Sequence, residues 1–183
     1  RTVGITFVFV THDQEEALTL SDRIAVMEGG KVLQIDTPSG LYERPRSRKV
    51  ASFIGTMNFF EGRVASRVNG RADLDIRGLG ALSVPGTREM PGEGRPVCVA
   101  IRPEKLSLST ERPETNGHVV EGMLDDVAYL GERSHIFVRL PGDGPRVAVS
   151  AQNHVSGWLS ETDRGRPVWL AWADDAMVLL DAG

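Results

Sequence analysis

The stretch "GRPVCVAIRPEKLSL", Gly94 to Leu108, returns later in the chain as "GRPVWLAWADDAMVL", Gly165 to Leu179. In each copy a Gly-Arg-Pro turn opens an apolar run, a polar break follows, and a second apolar run closes the segment. This is the grammar of short strands separated by turns. A second pair lies upstream in the same order, "FEGRV" at Phe60 to Val64 and "VEGML" at Val120 to Leu124. Two related segments in the same order predict a duplicated small β module, with half-repeats of about 59–110 and 118–181. A small closed or nearly closed barrel buries a tapered interior and removes exposed edges, which suits a segment with few aromatics and many turns. A two-sheet sandwich is the alternative. "PGTREMPGEG", Pro85 to Gly94, and "STERPETNG", Ser109 to Gly117, are too rich in turn formers for strand and read as a surface loop and as the connector between halves.

Upstream of Asn58 the pattern is different. "VGITFVFV", Val3 to Val10, is a β-branched and aromatic run without polar alternation, the pattern of a strand buried on both faces of a parallel sheet. One strand is not a sheet, so its neighbours are expected from elsewhere, and the hairpin and helix of the first 35 or so residues are expected to be poorly supported, since a lone strand of this type exposes an apolar face. Thr11 or Asp13 can cap a helix running to about Ser21, with Gln14 or Glu16 as the reciprocal partner. "RIAVMEGGKVLQID" reads as two strands joined at Gly29-Gly30. Thr37 and Pro38 open a short helix that Pro45 stops, and "SRKVASFIG" makes a second one ending at Gly55. The expected organisation is a small α/β segment over 1–36, a helical connector over 37–58 and a mainly β, OB-like β-barrel domain over 59–183.

Composition narrows the function. The formal charge of -4 and the absence of any basic run argue against a nucleic-acid footprint, which is built from clustered Lys and Arg. Low aromatic content likewise disfavours a single-strand binder of the OB type. Cys98 is the one cysteine, so no disulfide forms within the chain and a reducing compartment is the default. No apolar run reaches the roughly 18 residues that span a bilayer.

His12 stands where the apolar run stops and an acidic helix begins. It is either a capping or core histidine, or a residue able to hydrogen-bond a phosphate, since open parallel sheets bind ligands beyond the carboxyl ends of their strands. His118, His135 and His154 lack metal-ligand spacing and read as structural or solvent-facing. The carboxylates Glu15, Glu16, Asp22, Asp125, Asp126, Asp174 and Asp175 read as exposed helix faces or strand ends. Trp169 and Trp172 differ by an odd number of positions and cannot share a strand face, so with Trp158 nearby at least one tryptophan is expected in the core. Arg102 and Glu104, on one strand face around Pro103, are expected to form a structural ion pair at a bend, with a ligand contact as the alternative.

"VTHDQEEALTLSDRIAVMEGGKVLQIDTP", Val10 to Pro38, resembles the histidine-switch region and following hairpin of the ATP-binding subunits of ABC transporters. "LYERPRSRKVASFIGTMNFFEGRV" resembles the passage into the transport-associated OB (TOBE) domain of importer ATPases, and "VAIRPEKLSLS", "VAYLGERSHIFVRL" and "LAWADDAMVLLD" resemble that domain in polyamine importers. The resemblance implies that His12 contacts the γ-phosphate of ATP across a homodimer interface, where positioning and charge stabilisation carry phosphoryl transfer. It implies ATP and Mg in a longer parent, permease subunits and a periplasmic binding protein as partners, and the cytoplasmic face of a bacterial inner membrane as location. Iron(III) and sugar importers are the neighbouring alternatives, and a small-ligand OB module for oxyanions or sugars is the alternative from another class.

These 183 residues contain no G-x-x-x-x-G-K-[ST] loop, no aliphatic strand ending in Asp-Glu before His12 and no L-S-G-G-Q signature. The expectation is therefore a C-terminal portion of such an ATPase, inactive in hydrolysis alone and binding no cofactor or metal by itself.

Overall fold

The computed structural model describes residues 4–86, 90–152 and 161–181. The chain divides into two compact units, Arg1–Gly55 and Thr56–Gly183.

In the first unit, Asp13 caps helix α1 (Gln14–Leu20), its carboxylate accepting from the Glu15 and Glu16 amides at 2.8 and 3.1 Å. Strands β1 (Ile24–Glu28) and β2 (Lys31–Asp36) form a hairpin. Its turn is Gly29-Gly30, both at positive φ, the conformation that glycine adopts without steric cost. Thr37 caps α2 (Pro38–Glu43), with proline at the first helical position, and Ser47 caps α3 (Arg48–Phe53). Ala17, Ile24, Val26, Leu41, Val50 and Ile54 make one small core. The two helices expected as a connector thus pack with the hairpin, and the division falls after Gly55.

The apolar run departs from its expectation. Residues 4–10 form no strand, and their side chains are exposed, Phe7 at 82% and Val10 at 98%. A strand needs neighbours to satisfy its amides and carbonyls, and among the described residues the only sheet of this unit is the two-stranded hairpin.

The second unit is all β apart from two described helical turns beside its strand connections and a third at Glu161–Asp163. Strands β3 (Asn58–Val68), β4 (Arg71–Ile76), β5 (Gly80–Pro85) and β6 (Pro96–Ile101) come first, and after a turn at Pro103–Lys105 comes β7 (Ser107–Ser109). Then β8 (His118–Tyr129), β9 (Arg133–Arg139), β10 (Arg146–Gln152) and β11 (Pro167–Trp172) repeat the series, closed by a turn at Asp174–Ala176 and β12 (Met177–Asp181). The two five-stranded sheets run β12-β6-β3-β4-β5 and β7-β11-β8-β9-β10. The strand that ends each series completes the sheet of the other: β7 pairs with β11, and β12 pairs with β6. In the second sheet β10 comes against β7 and the Pro103–Lys105 turn, so the sheet curls until its two edges approach, the behaviour of an OB-like barrel.

The equivalence extends to single hydrogen bonds. Val64 receives the Gly94 amide at 2.8 Å and donates to the Arg95 carbonyl at 3.0 Å; Leu124 receives that of Gly165 at 2.8 Å and donates to Arg166 at 2.9 Å. β3 and β8 each carry a bulge directly after these residues, at Ala65 and at Asp125. A single core joins both sheets, from Phe60, Val64, Leu74 and Val99 through Leu124, Ile136, Val147 and Leu170 to Trp172. Asn58 links them as well, its side-chain amide imitating a strand backbone. Its Nδ2 donates to the Ala148 carbonyl and its Oδ1 accepts from the Ala148 amide, both at 2.8 Å.

Two glycines permit this close packing. A β-carbon on Gly62 would run into the Asp75 carbonyl oxygen and the Ile76 side chain, and one on Gly122 into Val138 and the Arg139 carbonyl oxygen. Gly62→Ala is therefore expected to destabilise the chain by about 1–3 kcal/mol, the range for overpacking a tight interior. Gly92→Ala, where an added β-carbon meets nothing within 4 Å, should be close to neutral. Thermal denaturation of both variants followed by circular dichroism checks the pair.

Candidate functional site

His12 lies in a bend between the exposed apolar run and α1, and its side chain is exposed. The turn around it is held by its neighbours. The Thr11 hydroxyl accepts from the Asp13 amide at 2.9 Å and donates to the Glu16 carboxylate at 3.0 Å. Gln14, a candidate for the capping partner, instead accepts from the Gly55 amide at 2.8 Å. His12 is thus presented by a fixed turn while caps and core are supplied by other residues. The residues around His12 form no phosphate cradle for an ATP–Mg group, because these 183 residues contain no glycine-rich loop with lysine.

In the second unit the sequence-selected residues separate. Arg102 is fully buried and donates from Nη1 to the Thr56 carbonyl at 3.2 Å. Pro103–Lys105 is a helical turn and not strand, so the shared strand face expected for Arg102 and Glu104 does not exist. Trp172 belongs to the core, and Trp169, on the other strand face, lies under the Arg112 guanidinium at 5.4 Å. His118 stacks on Trp172 at 5.5 Å between ring centres, and its Nε2 is 2.7 Å from Asp174. Arg71 approaches the same carboxylate at 3.8 Å. His135 is exposed, and His154 and Trp158 lie outside the described residues. Among the described residues no group of three or more His, Cys, Asp and Glu is placed to hold a metal ion, and no helix is long and apolar enough to cross a membrane.

The feature that the sequence did not reveal is centred on Asp125. This residue is the extra one in the β8 bulge, and its carboxylate receives Arg139 Nη2 and Arg146 Nε, each at 2.7 Å, with Arg164 Nη2 at 3.9 Å. Arg146 also reaches Asp126 at 3.2 Å and lies over the Phe137 ring at 3.9 Å. Arg139 and Arg146 are directly opposite across β9 and β10, a like-charge pairing that costs stability unless an anion sits between them. Asp125 is that anion. The Arg139 hydrogen bond, followed by that of Arg146, holds its carboxyl below the usual carboxylate range against an opposing effect of burial.

Residues 99–180 match the family model described as the TOBE domain. Over 180 residues the chain is 38% identical to the "Spermidine/putrescine import ATP-binding protein PotA" of Thermobifida fusca, covering 98% of this chain and 46% of that protein. It is 42% identical over 190 residues to the protein of that name from Frankia alni, covering 98% and 40%, and 46% identical over 154 residues to that from Rubrobacter xylanophilus, covering 82% and 39%. The chain spans about half the length of the curated relatives it matches or less. Among solved structures, the cytoplasmic molybdate-binding protein ModG shares the fold, with a TM-score of 0.55 at 17% identity, covering 67% of this chain and 94% of that one. Fold and matches together define a protein carrying a TOBE domain of OB-like architecture. More particularly, the import ATP-binding proteins it resembles match it over 98% of its length, through the segment before that domain as well.

The lowered pKa of Asp125 makes an acid-stability prediction. A carboxylate with a depressed folded-state pKa contributes stability that is complete above its unfolded pKa and is lost as pH falls through the folded value. The chain should therefore lose stability more steeply below about pH 4 than the Asp125→Ala variant, which lacks the titrating group. Urea denaturation midpoints across acid pH, compared with those near neutrality, measure the difference.

Proposed function

We propose that this chain is part of the ATP-hydrolysing subunit of an ABC importer for polyamines such as spermidine and putrescine. In this reading residues 1–36 belong to the ATPase domain, 37–58 connect, and 59–183 form an accessory, regulatory TOBE domain. The observation that carries the reading is the continuity of the match. Similarity to import ATP-binding proteins extends over 98% of the chain, through the His12 segment as well as the barrel.

A physical argument supports it. Ile5, Phe7, Val8 and Val10 are exposed beside His12, and burying a side chain of this size contributes about 1.5–3 kcal/mol. A run of them is stable as a strand only between other strands, which relatives of about twice the length have room to supply. In such a sheet His12 would stand beyond the carboxyl end of its strand, where phosphates bind. Its part is to orient and sense the γ-phosphate. Remaining contacts to ATP and Mg would come from other segments and from a second copy of the subunit. Permease subunits and a periplasmic binding protein complete the importer, and the subunit works at the cytoplasmic face of the membrane.

Two outcomes are expected. In the complete subunit, assembled with its permease, His12→Ala should lower ATP turnover on the order of a hundredfold or more, as loss of a transition-state contact does, with ATP binding largely kept. Transport-coupled turnover should rise with binding protein loaded with spermidine or putrescine and stay basal with iron(III) or sugar. Full turnover by the His12→Ala subunit would remove the proposed role of His12, and stimulation by iron(III) or sugar would redirect the cargo.

A further inference from the structure

The internal repeat supplies a control for the Asp125 cluster. The shared hydrogen bonds and registers place Ala65 at the position of Asp125, Asp75 at that of Arg139, Ala81 at that of Arg146 and Glu93 at that of Arg164. The first half therefore builds the same bulge, hairpin and following strand around an exposed alanine. There Asp75 pairs with Arg63 at 3.3 Å, and Glu93 accepts the Arg67 amide at 3.0 Å. Three arginines and an aspartate are thus no requirement of the fold. At the same four positions one half carries two anions and the other three cations around one anion.

The three guanidiniums are also held open. Arg139, Arg146 and Arg164 are 65%, 47% and 69% exposed at their side chains, while the Asp125 carboxylate hydrogen-bonds the first two and lies 3.9 Å from the third. Each presents further N–H groups to solvent, and Arg146 is braced by the Phe137 ring and by Asp126. Fixing long side chains in advance removes the entropy cost that usually weakens surface arginine sites. Planar forks of N–H donors match tetrahedral phosphate oxygens, and the three guanidiniums keep a positive charge beyond what Asp125 and Asp126 neutralise.

We propose that Arg139, Arg146 and Arg164, preorganised by Asp125, bind a phosphate group, either inorganic or carried on a small organic phosphomonoester. The site sits on the β8–β9–β10 hairpin region and is independent of His12 and of the reading above.

The test is a titration of the 183-residue chain with the arginine Nε–H signals followed by heteronuclear NMR. Inorganic phosphate and AMP serve as separate probes, each against sodium chloride of matched ionic strength. Saturable shifts at the three arginines with either probe are expected. Tighter binding of AMP assigns the group to an organic carrier, and equal binding to the free ion. Arg164→Glu, which installs the acidic charge of the first half at a residue 3.9 Å from Asp125, should weaken binding by about fivefold to tenfold. Shifts no larger than those with chloride, or undiminished binding by Arg164→Glu, would overturn the site. Should Arg164→Glu lower the melting temperature, Arg139→Gln replaces it and is expected to weaken binding likewise; undiminished binding again overturns the site.

Discussion

Neither five-stranded sheet of the barrel unit is complete within its own half of the sequence. The fifth strand always arrives from the other half, β7 onto β11 and β12 onto β6. An open edge leaves unpaired amides and carbonyls and invites other chains to pair with it, so this exchange makes each half the condition of the other. The common core and the Asn58 bridge to Ala148 follow from it, because halves that trade strands must lie close enough to share side chains. Gly62 and Gly122 meet the same demand at the points where backbone and neighbouring side chains approach too closely for a β-carbon.

Much of this was legible in the sequence because backbone demands leave marks in residue type. Gly29-Gly30, Thr37-Pro38 and Gly55 stand where turns, caps and helix ends were read, since few residues satisfy those conformations. The echo of "FEGRV" in "VEGML" located β3 and β8, which occupy the same place in their sheets. The strand exchange was not legible, for a β7 or β12 segment reads the same whichever sheet receives it. At Arg102 the bend around its proline was read, but not that the turn takes Glu104 off the strand face and leaves the guanidinium buried.

The charged site was hidden by register. Asp125, Arg139, Arg146 and Arg164 converge only once the bulge, the hairpin pairing and the turn before β11 are known. An alignment of the two halves carried one further residue, from Val64 and Leu124 to Ala65 and Asp125, would have exposed the contrast. His12 is the opposite case. Its identity as a candidate came from neighbouring residues, while its surroundings here remain an exposed turn, since one strand's worth of apolar side chains does not create a sheet.

The exchanged strands are the arrangement that two clasped copies of one half would also give. A chain consisting of one half alone would have four strands in order and a fifth reaching outward, and a second copy of itself would be the natural recipient. Two such molecules clasped by their final strands would already possess both sheets. Joining them through a segment such as 110–117 turns an assembly into a single polypeptide without moving any strand, and releases the two copies from having identical sequences. That freedom is visible where one copy keeps alanine at its bulge and the other holds an aspartate among arginines.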